Sequence, residues 1–450
     1  MKEVSIIGGG MAGVEAAFMI ARLGGRVTLY EMKPVRFSAA HTSGDLAELV
    51  CSNSLKSVSL DNASGLLKEE MRSLGSLVIT AAEAERVPAG TALAVDRQRF
   101  SAFITERLKE AGVKVVREEI IAIPPSRTAG GPSGTAGGPL RPLIVASGPL
   151  TSDGLAAALQ GFLGSKGLYF YDAISPVVYR DSIDFTTAFM ASRYNKGGAD
   201  YINCPMDRTE YETFVREIVS AEKTPLRAFE KIPFFEGCMP VETLAERGVL
   251  ALAFGPMRPV GIIDPRTGRR PWGVVQLRRE TREDTLYNMV GFQTRLTHPE
   301  QKRVFSLIPG LRDLSFARYG SIHRNSYIHS PSLLLKTLQL KKDPGVFFAG
   351  QMTGVEGYCE SAATGIIAGV NAWRLVSGLL PVFPPATTMI GALLDYITDS
   401  GRRDFQPMNA NFGILIGAGG KKKREALVKR ALSDMEEWKI KTLESQGGIC

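Results

Sequence analysis

An apolar run, Val4-Ser5-Ile6-Ile7, opens into Gly8-Gly9-Gly10-Met11-Ala12-Gly13 and an amphipathic stretch over 11–23, and a second apolar run, Val27-Thr28-Leu29-Tyr30, ends on Glu31. Strand, glycine turn, helix, strand and acid, in that order, make the first βαβ unit of a dinucleotide cradle. The glycines have separate reasons. Gly8 allows the tight turn, Gly10 lets backbone approach a pyrophosphate, and Gly13 lets the helix lie against the strand. Gly9, Met11 and Ala12 complete a loop and helix N-terminus whose N–H groups and dipole favour an anion. Glu31 is placed to grip a ribose 2′-hydroxyl.

A second signal of the same kind comes late in the chain. Val346-Phe347-Phe348-Ala349 reads as a buried strand running into Gly350 and Gln351, with Gly357 and Tyr358 beyond them, and the Ala- and Gly-rich 361–376 reads as a helix. In flavoproteins such a late element faces the flavin side of the dinucleotide, so two cradles argue for FAD over NAD as the tightly held cofactor. Between the cradles, 100–110 and 113–116 read as helix then strand, and 143–149 as a strand closing on a glycine turn. The near-duplicated Gly/Ala/Pro tract within 126–141 has nothing to bury and reads as a mobile low-complexity loop. From 166 to 334 the pattern changes to short β-like runs and aromatics, with a helix near 209–222. The expected fold is α/β: a Rossmann-like FAD-binding domain with a parallel sheet, formed by 1–165 and 335–450, interrupted by an inserted mixed α+β domain over 166–334.

With 450 residues, 44% of them hydrophobic, the chain is long enough for two or three domains. No segment approaches the roughly 18 uninterrupted apolar residues of a membrane span. Met1-Lys2 before an apolar run invites a signal-peptide reading, but glycines, Glu15 and Arg22 break the run, so the expected location is the cytoplasm, away from membranes. Five cysteines without a CxxC pair or clustered histidines suggest free thiols, with neither a disulfide framework nor a metal site. A net charge of +8 points towards a polyanionic partner.

Four motifs are more particular: Ala47-Glu48-Leu49-Val50-Cys51-Ser52-Asn53-Ser54-Leu55; Phe235-Glu236-Gly237-Cys238-Met239-Pro240-Val241-Glu242; Tyr319-Gly320 with His323-Arg324-Asn325; and Gly350-Gln351 with Gly357-Tyr358 and Glu360-Ser361-Ala362-Ala363. With Phe405-Gln406-Pro407-Met408-Asn409, they closely resemble the folate- and FAD-dependent tRNA (uracil-5-)-methyltransferases, nearly end to end. The resemblance implies an enzyme that forms ribothymidine in the tRNA T-loop, with carbon from 5,10-methylenetetrahydrofolate and electrons from NAD(P)H through FAD, and no obligate protein partner. That chemistry needs a thiolate to add at uracil carbon 6, a group to remove the carbon-5 proton, and hydride from reduced flavin.

On this resemblance Cys238 is assigned as the carbon-6 nucleophile and Cys51 as the partner that removes a proton or guards the flavin-bound carbon; the pair is firmer than the order. Each thiol needs an electropositive, partly exposed setting. His323 and Asn325 fall among the cofactor-binding positions, His323 for stacking on the pterin, with His298 as the other candidate; His41 and His329 read as structural or solvent-facing. A T-loop uridine must be unstacked to react, so the protein must grip RNA backbone. Candidate phosphate contacts are Arg266, Arg269, Arg270, Arg278, Arg279, Arg282, Arg402, Arg403 and Lys421-Lys422-Lys423-Arg424, the last opening what reads as a solvent-exposed terminal helix. Two alternatives stand: the flavoprotein of tRNA wobble-uridine modification, which needs a partner GTPase and a longer C-terminal helical region, and a flavin-containing tRNA-binding protein without catalysis.

Overall fold

The computed structural model describes residues 3–38, 40–127, 140–164, 168–195, 198–225, 239–402, 405–417 and 421–444. The strand Glu3–Ile7 pairs in parallel with Arg26–Glu31 on one side and Leu143–Val145 on the other. Lys114–Arg117 extends the sheet beyond Arg26–Glu31, and Asp343–Phe348 extends it beyond Leu143–Val145, both in parallel. A short antiparallel strand, Gln339–Leu340, closes the edge. Val4, Ile6, Leu29, Ile144 and Phe347 are fully buried, as expected of a parallel sheet covered on both faces. The α/β, Rossmann-like expectation therefore holds.

The first helix, Met11–Arg22, and the late helix, Tyr358–Val376, pack closely over this sheet. Gly365 and Gly369 are the reason. A Cβ at Gly365 would lie 2.2 Å from the Ala12 carbonyl oxygen, and one at Gly369 would lie 2.7 Å from that of Ala16. Two buried carboxylates pin further helices. Glu15 takes the Ser76 hydroxyl and the N–H groups of Leu77 (3.2 Å) and Val78 (2.9 Å), holding the start of helix Leu77–Ala84. Glu70 takes the N–H groups of Met389 (2.7 Å) and Ile390 (2.9 Å), at the start of helix Met389–Thr398. Burial pushes Glu15 up to about 7 and Glu70 up to about 8.

Residues 177–318 build a second, antiparallel six-stranded sheet, in the order Phe189–Ala191, Tyr201–Met206, Gly273–Arg279, Leu286–Met289, Val177–Tyr179, Phe316–Arg318. It has its own core, in which Phe292 packs between Phe214 and Phe305. A two-stranded ribbon, Leu168–Ile174 with Ser321–Tyr327, runs beside it.

Two readings change in the structure. The late helix begins at Tyr358, three residues before the expected 361, because Gly357 at φ +122° turns the chain into it. The terminal helix Lys421–Lys439 is not solvent-exposed throughout: Leu427, Val428, Ala431, Met435 and Trp438 bury one face against the nucleotide-binding core. Most of the 126–141 loop lies outside the described residues; its stems meet in an antiparallel bridge between Arg127 and Leu140. Among the described residues no helix is long and apolar enough to cross a membrane.

Candidate active site

A single cleft collects Gly8, Gly9, Gly10, Met11 and Ala12 from the first cradle, Glu31 from the next strand, Cys51, and Gly350, Gln351, Gly357 and Tyr358 from the late element. Asn325 lines it too and is buried. The glycines behave as their spacing requires. A Cβ at Gly8, itself at φ +102°, would strike the Ala146 carbonyl oxygen at 2.5 Å, and one at Gly13 would lie 1.8 Å from the Gly8 carbonyl oxygen. A Cβ at Gly10 would meet nothing within 4 Å, so backbone lies open to the cleft there.

Gly10 caps the first helix without a side-chain hydrogen bond, and no acid sits in its first turn. Gly357 caps the late helix, also without a side-chain bond. Two helix N-termini thus face one cleft: the first carries no acid, as an anionic dinucleotide requires, and the second carries Glu360 in its first turn, paired with Lys56 at 3.0 Å. The Glu31 carboxylate is buried and accepts the N–H groups of Gly9 (2.8 Å) and Lys33 (2.9 Å). Each carboxylate oxygen retains lone-pair capacity for a ribose hydroxyl. These residues fit FAD: Gly8 to Gly13 would hold its pyrophosphate, Glu31 its ribose, and the Gly350 and Gly357 turns its far end.

Cys51 is half-buried on the loop between Leu49 and Asn53. The Tyr358 phenol oxygen accepts the Cys51 N–H at 2.9 Å, and burial together with the neighbouring thiol pushes that phenol well above its usual range. Arg97 donates to the carbonyls of Leu49 and Cys51, the latter at 3.1 Å. Arg318 donates to the carbonyls of Val50 (3.2 Å) and Cys51 (3.3 Å). Arg278 donates to Ser52 Oγ (2.7 Å) and Asn53 Oδ1 (2.9 Å). The setting is electropositive and partly exposed, as a reacting thiol needs. Cys204 and Cys359 differ: burial pushes their thiols up to about 12 and about 11.

Cys238 lies outside the described residues, but the chain just after it is anchored. Met239 and Pro240 are buried, Val241 donates its N–H to the Gln293 carbonyl at 2.7 Å, and Glu242 accepts from Thr294 Oγ1 (2.9 Å) and the Arg295 N–H (2.8 Å). Thr294 in turn donates its N–H to the carbonyl of Ile174, which lines the cleft. His323 lies on the strand Ser321–Tyr327 opposite Asp172. His298 is exposed and spends one ring face on Tyr319, centroids 4.2 Å apart and planes at 12°. His41, read as structural or solvent-facing, lines the cleft and bonds Ser38 Oγ through Nδ1 at 2.6 Å.

The structure corrects part of the phosphate set. Arg278 is buried and committed to the Cys51 loop, so it cannot meet RNA backbone. Arg279 pairs with Asp284 at 2.8 Å, Arg282 with Glu85 at 3.3 Å, and Arg266 with Asp264 at 2.7 Å. Arg402 lies over the Tyr396 ring and Arg424 donates to the Asp61 carbonyl. Arg269 and Arg270 are exposed. Arg403 and the side chains of Lys421, Lys422 and Lys423 lie outside the described residues. Sequence reasoning missed Arg97, Arg318 and Glu280 altogether; they are lone charges whose partners lie far along the chain.

A glycine-cradled parallel sheet with a second helix N-terminus across the same cleft defines a dinucleotide-binding protein of the flavoprotein type. Residues 3–379 match the family of Glucose inhibited division protein A. The chain is 55% identical to "Methylenetetrahydrofolate–tRNA-(uracil-5-)-methyltransferase TrmFO" of Heliobacterium modesticaldum, covering 98% of each chain, and 55% identical to the protein of that name from Geobacter sulfurreducens, covering 97% of this chain and 98% of the relative. The fold is similar to that of Aquifex aeolicus GidA, with a TM-score of 0.70 at 17% identity over 97% of this chain and 73% of that one. The chain belongs to the methylenetetrahydrofolate–tRNA-(uracil-5-)-methyltransferase family, a family of enzymes within the wider Glucose inhibited division protein A group.

Proposed function

We propose that the protein methylates carbon 5 of the T-loop uridine of tRNA, in the cytoplasm, with methylenetetrahydrofolate as carbon donor and FAD reduced by NAD(P)H as reductant. The observation that carries this reading is the half-buried Cys51, ringed by arginines and opening on a cleft built for a dinucleotide. Bound FAD, once reduced by NAD(P)H, would supply the hydride that turns the transferred carbon into a methyl group.

The chain's own residues divide the remaining work. The Cys238 thiolate adds to carbon 6 of the flipped uracil and makes carbon 5 nucleophilic; carbon 5 bonds the donor's methylene carbon, loss of the carbon-5 proton to Cys51 breaks that carbon's bond to the folate nitrogen, and the Cys238 sulfur leaves once hydride has reached the new carbon. Gly8 to Gly13 and Glu31 bind the dinucleotide, Tyr358 holds the Cys51 backbone, and Asn325 lines the folate side of the cleft; His323 is assigned to stacking on the pterin. The exposed Arg269 and Arg270 hold tRNA backbone.

The test supplies an unmodified tRNA transcript with methylenetetrahydrofolate, NAD(P)H and FAD. Methyl transfer to the T-loop uridine is expected, and Cys51→Ala and Cys238→Ala should each lower it by about 100-fold or more while tRNA binding survives. Transfer that depends on S-adenosylmethionine instead, or that survives both substitutions, defeats the reading.

A further inference from the structure

The loop that carries Cys51 belongs by sequence to the nucleotide-binding part of the chain, yet much of what holds it comes from the other sheet. Arg278 lies on the strand Gly273–Arg279 and Arg318 on the strand Phe316–Arg318, and both donate into residues 50–53. Asn53 returns the link by donating to the carbonyl of Arg279 at 2.9 Å. Arg97 comes from the nucleotide-binding side, at the start of helix Arg97–Glu110, but its guanidinium is clamped in two places by Glu280, at 2.6 and 3.0 Å. Among the described residues Glu280 pairs with Arg97, and the Nε of Arg318 is buried without a partner there. Arg97, Arg278, Arg318 and the phenol of Tyr358 are electrostatic neighbours of Cys51 among the described residues.

We propose that Arg97, Arg278 and Arg318 are positioning residues for Cys51, so that the seating of the antiparallel sheet sets where this thiol lies in the cleft. The proposal rests on the reading that Cys51 reacts. Its geometry makes the inserted region more than an RNA holder. A shift of that sheet pulls directly on the backbone of residues 50 and 51, through hydrogen bonds that a neutral or shorter side chain cannot reproduce. Burial and the nearby Arg97 charge press the Arg318 guanidinium down to about 10.

The test is the rate of carbamidomethylation of Cys51 by iodoacetamide at pH 7 in the FAD-loaded enzyme, read from the Cys51 peptide by mass spectrometry, with Cys51→Ser as the blank. Arg318→Ala should slow the reaction about tenfold. Arg318→Lys keeps a cation there and should recover much of that rate. Glu280→Gln releases the clamp on Arg97 and should also slow the reaction, a sign that merely loosened structure, which exposes the thiol, does not produce. Rates unchanged or raised in both Arg318→Ala and Glu280→Gln overturn the proposal. If Cys51→Ala still methylates tRNA, the functional reading falls, and the alkylation rates still decide the positioning.

Discussion

Adding a methyl group at Gly13 would drive a carbon to 1.8 Å from the Gly8 carbonyl oxygen, whereas at Gly10 the same methyl meets nothing. The two substitutions should therefore part company. Gly13→Ala forces turn and helix apart, costing about 2–3 kcal/mol, and should lower the melting temperature together with flavin content. Gly10→Ala should leave the melting temperature of flavin-free protein nearly unchanged and weaken FAD binding about tenfold or more, because the methyl takes the space a pyrophosphate needs. Flavin absorbance and thermal melts separate these outcomes. At this scale much of the cradle was legible, since Gly8, Gly13 and Glu31 act within 31 residues of one another through sterics and local hydrogen bonds. Arg97 was not legible, because its carboxylate partner lies 183 positions away.

Among the elements, the contact of Met11–Arg22 with Tyr358–Val376 depends on the absence of side chains at Gly365 and Gly369. Gly365→Ala should separate the two helices and cost about 2 kcal/mol, seen as a lower denaturant midpoint, with weaker FAD binding because both uncapped N-termini move. The buried carboxylates that hold helix starts carry a pH signature. Glu15 and Glu70 keep their protons in the folded state up to about 7 and about 8, while the unfolded chain releases them near the ordinary carboxylate value. Their contribution is complete at acidic pH and is lost as pH rises through the folded values, so the melting temperature should fall between pH 5 and pH 8.5, on the order of 5 °C. Glu70→Gln should flatten the upper part of that slope; an unchanged slope would show that Glu70 is already ionised. Helix boundaries followed from periodicity, but Tyr358 as the first residue of the late helix did not. That start depends on the positive φ of Gly357.

Over the whole molecule, charge separates into buried cations that organise the site and exposed ones free to meet a polyanion. Arg278 belongs to the first kind, Arg269 and Arg270 to the second. Affinity for tRNA should fall steeply with salt, and Arg269→Ala and Arg270→Ala should each reduce the slope of log K against log salt by about one, whereas Arg278→Lys should leave that slope unaltered. Binding titrations over a range of salt read this directly. An apolar run, three glycines, a helix period and an acid were enough to settle the nucleotide-binding sheet and its cradle, because those signals act over one or two turns of chain. Which arginines face solvent, which hold the Cys51 loop, and that this loop leans on the antiparallel sheet were decided only in three dimensions. A charge on its own does not say where its partner is, and pairings across about 200 residues exist only once both sheets have packed.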